Sequence, residues 1–225
     1  MTTPVNVTFS HSSLKDFQNC PRKYYEVKVL EKYPREETEA TAYGTQLHEQ
    51  CELHIRDGRP LDQNFRFLQP VLDKLKAMPG RKYPEYEMAL TKDLRVCNFH
   101  APDRWVRGIA DLIIVDDDNL TARVFDYKSG SDKYPDTSQL ELMALMIFKH
   151  FPHIRSVSGG LLFVLKNSVR KCKVELDMQD KMWWKYREEV ARIEQAHATG
   201  VWNPKSSGLC RRHCPVLHCS YNGRS

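Results

Sequence analysis

The sequence lacks the features that mark membrane, secreted and repeat proteins. No run approaches the roughly 20 apolar residues that a membrane-spanning helix needs, and the start, Met1-Thr2-Thr3-Pro4, lacks the cationic and apolar pattern of a secretory signal. Neither an internal repeat nor a low-complexity linker interrupts the 225 residues. These absences predict a cytoplasmic protein without membrane contacts, and the length suits one domain rather than two.

The net charge and the cysteine content indicate which partners and which cysteine chemistry to expect. The net charge of +5 and the pI of about 8.8 are compatible with a polyanionic partner without requiring one. Seven cysteines in a chain without an export signal favour free thiols or metal ligation over disulfides. Three of them, Cys210, Cys214 and Cys219, fall within ten residues. The scattered Cys51, Cys97 and Cys172 are interpreted as incidental or buried thiols.

The pattern of apolar residues predicts an α/β chain. Ser12 or Ser13 is expected to cap a first helix through Cys20, and Pro21 to begin a further turn through Leu30. Later helices are predicted at residues 42–56, 65–78, 138–151 and 178–198, and strands at residues 83–90, 105–115, 122–127, 159–165 and 171–176. The acidic turn of residues 116–119 joins the second and third strands into a hairpin.

That hairpin carries the residues that point to chemistry. Asp111 interrupts an apolar strand, where an unpaired carboxylate would be costly to bury. Asp126 and Lys128 alternate around Tyr127, so on a strand they face the same side. Two carboxylates can hold a divalent cation while an ammonium group contacts a phosphate or positions a water molecule, which is what metal-dependent phosphodiester hydrolysis needs.

The same residues allow a simpler interpretation. Asp111 and Lys128 could form an ordinary salt bridge across the hairpin, and the acid-x-Lys triplet also occurs at Glu26-Val27-Lys28. Three more polar residues favour a site. His48 and Glu52 share one face of a predicted helix, and Gln139 at the start of the helix after Lys128 could bond a carboxylate or the substrate.

Taken in order, these pieces resemble the RecB-type branch of the PD-(D/E)XK nuclease superfamily, which is similar to phage, recombination and CRISPR-associated exonucleases. The resemblance covers most of the chain. The matching segments are Ser12-Ser13-Leu14 with Phe17, Cys20-Pro21-Arg22-Lys23-Tyr24-Tyr25, Gly44-Thr45 with His48, Gly108 to Asp111, Asp126-Tyr127-Lys128-Ser129-Gly130, and Gln139-Leu140.

The resemblance implies a restriction-endonuclease-like fold, with a central mixed sheet flanked by helices. It implies one nuclease domain over residues 1–225, with a core at 33–200. It also implies that His48, Asp111, Asp126 and the Tyr127 carbonyl ligate Mg²⁺ or Mn²⁺, that Lys128 orients the attacking water, and that Gln139 supports the site. Glu87, in the strand before the hairpin, lies near where some relatives place another acid.

The clustered cysteines favour ligation of a soft metal. The resemblance implies that the distant Cys20 joins Cys210, Cys214 and Cys219 around a [4Fe-4S] cluster. Residues 1–32 and 201–225 would then form a clasp that closes the chain ends. Three residues rather than the usual two separate Cys210 from Cys214, with His213 between them. Zinc is therefore the alternative, bound by Cys20, Cys210, Cys219 and either Cys214 or His213.

The resemblance implies hydrolysis of DNA, most simply by an exonuclease on single-stranded or resected ends, in a bacterial cytosol or phage-infected host. The pathway would be recombination, repair or phage DNA metabolism, and protein partners stay unspecified. A structure-specific endonuclease and a non-catalytic DNA-binding accessory subunit are the alternatives. Basic residues that could contact phosphates recur along the chain. Five aromatic residues could stack on bases or lie in the core: Tyr24, Tyr25, Trp105, Tyr134 and Trp202.

Overall fold

The computed structural model describes residues 7–34 and 37–224 of the chain. Contacts divide it into two compact units. The sheet unit is Glu37–Trp183, and the terminal unit combines the described parts of Met1–Glu36 and Trp184–Ser225. The predicted domain boundaries stay a prediction.

The sheet unit is an α/β fold built on a mixed sheet. Within the described residues the sheet has five strands in sequential order: β1 Arg81–Thr91, β2 Arg104–Asp116, β3 Thr121–Lys128, β4 Ser156–Phe163 and β5 Ser168–Glu175. All neighbours are antiparallel except β3 and β4, which are parallel. The predicted hairpin is confirmed, with Asp116 paired to Thr121. The parallel pair needs a crossover, which contains the helix α5, Ser138–His150.

Helices α3 (Glu39–Asp57) and α4 (Gln69–Ala77) cover one face of this sheet. The side chains of Leu47, Leu72 and Leu112 are completely buried in the core between them. The single helix predicted over residues 65–78 is wrong in its first turn, because Gln63–Leu68 is a 3-10 helix. Pro70 stands at the start of α4, where its missing N–H suits a helix beginning.

Helix α5 packs on the sheet with a wide apolar surface, and its residues from Leu142 to Phe148 are all buried. The approach to β4 is close. A Cβ built on Gly159 would lie 2.8 Å from both the Leu140 Cβ and the Cys172 Sγ. Gly159 therefore sets how near α5 can lie to the sheet, and so where the first turn of α5 is held.

The terminal unit contains α1 (His11–Asn19), α2 (Pro21–Tyr24) and a π-helical turn at Tyr25–Val29. The expected cap at Ser12 or Ser13 is wrong. Ser10 caps α1, because its hydroxyl accepts a hydrogen bond from the Ser13 N–H while the Ser13 hydroxyl accepts one from the Ser10 N–H. This pair has the three-residue spacing of a capping box.

The chain continues after the sheet with helix α6, Gln179–Thr199, followed by mostly irregular structure that includes a short 3-10 helix at Gly208–Arg211. Trp202 belongs to the core of the terminal unit, where its ring stacks on Tyr25 at 4.8 Å between centroids. Within the described ranges, no helix combines the length and the apolar character needed to cross a membrane.

Candidate functional site

Asp111 lies where two central strands separate. Regular pairing of β2 and β3 extends from Asp116 only to Leu112, which pairs with Phe125. Beyond that point the Asp111 carboxylate accepts a hydrogen bond from the Tyr127 backbone N–H at 2.6 Å. The side chain thus replaces a carbonyl acceptor of the sheet. This bond explains how a carboxylate that is only 8% exposed is accommodated in an otherwise apolar strand.

Asp126, Lys128 and Gln139 form a closed polar triangle. The Lys128 Nζ lies 2.7 Å from Asp126 Oδ2 and donates to Gln139 Oε1 at 3.1 Å, while the Gln139 amide donates to Asp126 Oδ1 at 2.6 Å. Asp126 and Lys128 therefore face the same side of β3, as their alternation predicts. In the described part of the chain, the carboxylate that pairs with Lys128 is that of Asp126, so the simpler interpretation of an Asp111–Lys128 bridge is wrong.

The Asp126 carboxyl lies in a poor environment for negative charge. Burial, followed by the nearby charge of Asp111, raises its pKa to about 6 despite the opposing effect of Lys128. A carboxyl whose ionisation is disfavoured by a neighbouring carboxylate is expected where a cation binds between the two.

His48 reaches this region from α3. Its Nδ1 lies 3.3 Å from Asp111 Oδ2 and 3.8 Å from Glu85 Oε1, and its Nε2 lies 3.0 Å from the Tyr127 carbonyl oxygen. With oxygen acceptors on both ring nitrogens, the imidazolium form is favoured. Contact with Asp111 and then with Glu85 raises the pKa of His48 to about 10.

Glu85 is the residue that sequence reasoning missed. Pro84 pairs with Leu112 and Tyr86 with Ala110, so Glu85 stands across from Asp111. Its φ of 45° is unusual for a non-glycine residue in a strand. Glu87, the acid considered from the sequence, is solvent-exposed. A proline inside a strand marks an irregularity, so Pro84 was the available indication that the side-chain alternation would not hold here.

This group of residues fits a divalent cation. Ligand atoms of His48, Glu85 and Asp111 all lie within 4.8 Å of one another. Metal–oxygen distances of 2.0–2.1 Å in an octahedral Mg²⁺ site put adjacent ligands ~3 Å apart. The observed 3.3 and 3.8 Å separations from His48 are close to that spacing. The carboxylate oxygens are also the ligands that Mg²⁺ and Mn²⁺ prefer.

A cavity of about 430 Å³ adjoins this group. It is lined by Gly44, Thr45, His48, Glu49, Glu52 and Glu85. Glu52, predicted to share a face with His48, does so, and it pairs with Arg56 at 2.6 Å. Because the lining is acidic, a polyanionic substrate would be repelled there unless a cation were present.

The second acid-x-Lys triplet has a different geometry. Glu26 and Lys28 lie in a helical turn, where residues two apart point to different faces. Glu26 is buried and contacts Arg22, Lys32 and His218, whereas Lys28 lies 4.0 Å from Asp16. Burial works against ionisation, but Lys32, His218 and Arg22 together lower the pKa of Glu26. This triplet therefore has the same sequence spacing as Asp126-Tyr127-Lys128, but its acid and its lysine do not face the same side.

All seven cysteines are free. In the terminal unit, Cys20 Sγ accepts backbone N–H groups from Lys23 and Lys205, each at 3.4 Å, and Cys210 Sγ accepts one from Ser207 at 3.4 Å. Thiolates that bind metals commonly accept such bonds. The contact with Lys205 joins segments 185 residues apart. Among the residues described, no three cysteine sulfurs lie within 4.8 Å of one another, and the clasp stays a prediction.

The sequence profile of the PD-(D/E)XK nuclease superfamily matches residues 8–82 and 62–219, which together span nearly the whole chain. The chain belongs to this superfamily. The family cleaves phosphodiester bonds of DNA with divalent metals, so this member is a hydrolase of that class with a candidate His and carboxylate metal site.

Two solved structures are similar to this chain. A provisionally named exonuclease from Eubacterium rectale is 14% identical, with a TM-score of 0.50 over 92% of this chain and 86% of that one. A second structure, of SSO0001, is 16% identical, with a TM-score of 0.45 over 99% of this nuclease and 90% of that chain. The similarity to the Eubacterium rectale structure supports the fold alone. No curated protein matches the sequence.

Proposed function

We propose that this nuclease is an exonuclease of the RecB-type branch that degrades single-stranded or resected DNA ends in recombination, repair or phage DNA metabolism. The observation that supports it best is the triangle of Asp126, Lys128 and Gln139. Asp126 and Lys128 flank Tyr127, whose backbone N–H donates to Asp111 and whose carbonyl contacts His48. A non-catalytic DNA-binding descendant would have no need for all of these contacts.

In the proposed mechanism His48, Asp111, Asp126 and the Tyr127 carbonyl hold Mg²⁺ or Mn²⁺, and we add Glu85 to this set. The cation, when bound, supplies positive charge to the dianionic transition state and makes water a stronger nucleophile. Asp111 orients the Tyr127 peptide through its N–H, which aims the adjacent carbonyl. His48 would bind the cation through Nδ1, which faces Asp111 and Glu85, after releasing the Nδ1 proton to solvent, and its Nε2 would keep its hydrogen bond to the Tyr127 carbonyl.

Lys128 is proposed to orient the attacking water and to contact the scissile phosphate. An ammonium group beside a developing anion stabilises charge that is absent from the ground state, which is how such a group accelerates a reaction. Gln139 fixes the positions of both side chains, because it accepts a hydrogen bond from Lys128 and donates one to Asp126. Lys128 is about one-third exposed, so it is accessible to a substrate.

The experiment that tests this function compares a 5′-labelled linear single strand with a covalently closed circular single strand. With Mg²⁺ or Mn²⁺ the linear strand should be degraded and the circle left intact. Chelation or Asp126→Asn should abolish degradation. Cleavage of the circle would favour the structure-specific endonuclease, and DNA binding without cleavage of either substrate would favour the accessory subunit.

We also propose that Cys20, Cys210, Cys214 and Cys219 hold a [4Fe-4S] cluster, with zinc as the alternative. What supports it is the location of all four thiols in the terminal unit and the backbone N–H contacts to Cys20 and Cys210. The cubane uses one thiolate per iron atom, so its sulfurs can lie further apart than the ~3.8 Å that sulfurs at 2.3 Å from one tetrahedral zinc require.

A further inference from the structure

Tyr134 is the most exposed large apolar or aromatic side chain in the described residues, at 84%. Of the other aromatic residues predicted to stack or to lie in the core, Tyr24, Trp105 and Trp202 are buried. Tyr25 packs on Trp202. Single exposed aromatic residues are ordinary on protein surfaces, so the position of Tyr134 decides whether its exposure has a function.

The position is next to the candidate site. The site loop, residues 129–137, leaves β3 directly after Lys128 and leads into α5, whose second residue is Gln139. These two side chains are in contact at 3.1 Å, so the loop begins and ends at the site. Tyr134 follows Lys128 by six residues and can lie at most about 20 Å from it along the chain. The ring can therefore reach only nucleotides near the scissile bond.

The loop is attached at both ends, which keeps its centre outward. Asp132 accepts a hydrogen bond from the Ser168 hydroxyl at 2.8 Å, and Asp136 accepts one from the Ser138 backbone N–H at 3.0 Å. Between these two anchors lies Lys133-Tyr134-Pro135. A residue that precedes proline is restricted to extended conformations. The loop thus presents the Tyr134 ring to solvent with limited freedom to fold back.

The ring also has a positive charge beside it. The Lys133 Nζ lies 5.3 Å from the centroid of the Tyr134 ring, a cation–π contact. An ammonium group next to an exposed aromatic face is the combination that binds single strands, because the base stacks on the ring and the cation meets a phosphate. Bases within a duplex are already stacked on both faces and have no free face to offer.

We propose that Tyr134, with Lys133, is a stacking platform for an unpaired base of single-stranded DNA beside the catalytic centre. This inference rests on the proposed function and deepens it, because it assigns the preference for single strands to one side chain. Lys133 covers one face of the ring and the base occupies the other. Duplex DNA gains nothing from the platform.

Binding measured in EDTA tests the platform without requiring cleavage. The dissociation constant for fluorescent oligo(dT)₂₀ should rise about tenfold in Tyr134→Ala, the change that 1.4 kcal/mol produces and within the range of base–aromatic stacking. Tyr134→Phe keeps the ring and should stay within about twofold of the unmodified protein. A relaxed, covalently closed duplex circle, which offers neither an unpaired base nor an end, should bind both variants equally.

The matched control is Trp184→Ala, which removes a 66% exposed aromatic side chain outside the site loop and should leave oligo(dT)₂₀ binding unchanged. Lys133→Ala should reduce the slope of log affinity against log salt by about one. An unchanged dissociation constant in Tyr134→Ala, an equal loss for the duplex circle, or an equal loss in Tyr134→Phe would each overturn the platform. Normal binding without metal-dependent cleavage would overturn the proposed function and leave the platform standing.

Discussion

The two buried aspartates of the site differ in what neutralises them. Asp111 accepts the Tyr127 N–H and faces His48, whereas Asp126 depends on Lys128 and Gln139. For Asp126, burial and the neighbouring carboxylate together raise the pKa to about 6. Without a cation, ionised Asp126 therefore lowers the free energy of unfolding, although the site needs this negative charge to bind a cation.

This cost gives a pH-dependent prediction at the residue scale. A carboxyl whose folded pKa is raised from 3.8 to about 6 stabilises the fold fully only below 3.8, and the benefit is lost as the pH rises through 6. In EDTA at pH 8, Asp126→Asn should therefore be more stable by up to roughly 3 kcal/mol, at 1.36 kcal/mol per pKa unit. At pH 4 the gain should nearly vanish. Urea unfolding at both values measures it, and a gain that is equal at both would contradict the raised pKa.

Individual residues also mark the limits of what the sequence predicts. The sequence predicts one site from five residues, and the structure brings these residues together in the sheet unit: His48, Asp111, Asp126, Lys128 and Gln139. Glu85 was missed because its position across from Asp111 depends on the register of β1 with β2, which the sequence does not contain. The Ser10 cap was missed because three nearby serines can each cap a helix, and the choice depends on a reciprocal bond.

At the scale of elements, the sheet and α5 position the site together. Strand periodicity predicted all five strands within a few residues, but pairing is a long-range property that periodicity does not contain. The parallel pairing of β3 with β4 puts α5 over the sheet, so that Gln139 meets the end of β3. The separation of β2 from β3 beyond Leu112 creates the space for the Asp111 carboxylate.

The contact between α5 and β4 can be tested through glycine. Gly159→Ala puts a Cβ 2.8 Å from Leu140 and Cys172, so α5 must shift, and such overpacking costs about 1–3 kcal/mol. Activity should fall as well, because Gln139 precedes Leu140. Gly130→Ala meets nothing within 4 Å and is the control, expected to stay within about 0.5 kcal/mol. Equal stability of the two variants in urea would show that the packing is not limiting.

At the scale of the whole molecule, segments from the two chain ends meet in the terminal unit. The Lys205 N–H contacts Cys20, and the buried Glu26 pairs with His218 next to Cys219. If the four thiolates also share a cluster, the link closes a loop of nearly the whole chain, which limits the unfolded state. The cluster would then serve stability rather than redox chemistry.

Protein purified without oxygen tests this directly. It should be brown, with broad absorbance near 400 nm, and Cys219→Ser should lose the colour and unfold at a lower temperature. Cys97→Ser, which changes a thiol outside the proposed set, should keep both properties. A colourless protein with one bound zinc per chain would replace the cluster with the alternative, and a colourless protein free of zinc and iron would contradict both.

The central claim is that Lys128, held by Asp126 and Gln139, serves metal-dependent cleavage of DNA. The chain provides its own control, since Lys28 ends the other acid-x-Lys triplet but sits in a helical turn. The most direct measurement is the Mg²⁺-dependent rate on linear single-stranded DNA for Lys128→Ala and Lys28→Ala, with folding of both checked by circular dichroism. We expect Lys128→Ala to lose at least a hundredfold, about 2.7 kcal/mol of transition-state stabilisation, and Lys28→Ala to keep the full rate. A folded Lys128→Ala protein that cleaves as fast as Lys28→Ala would contradict the claim.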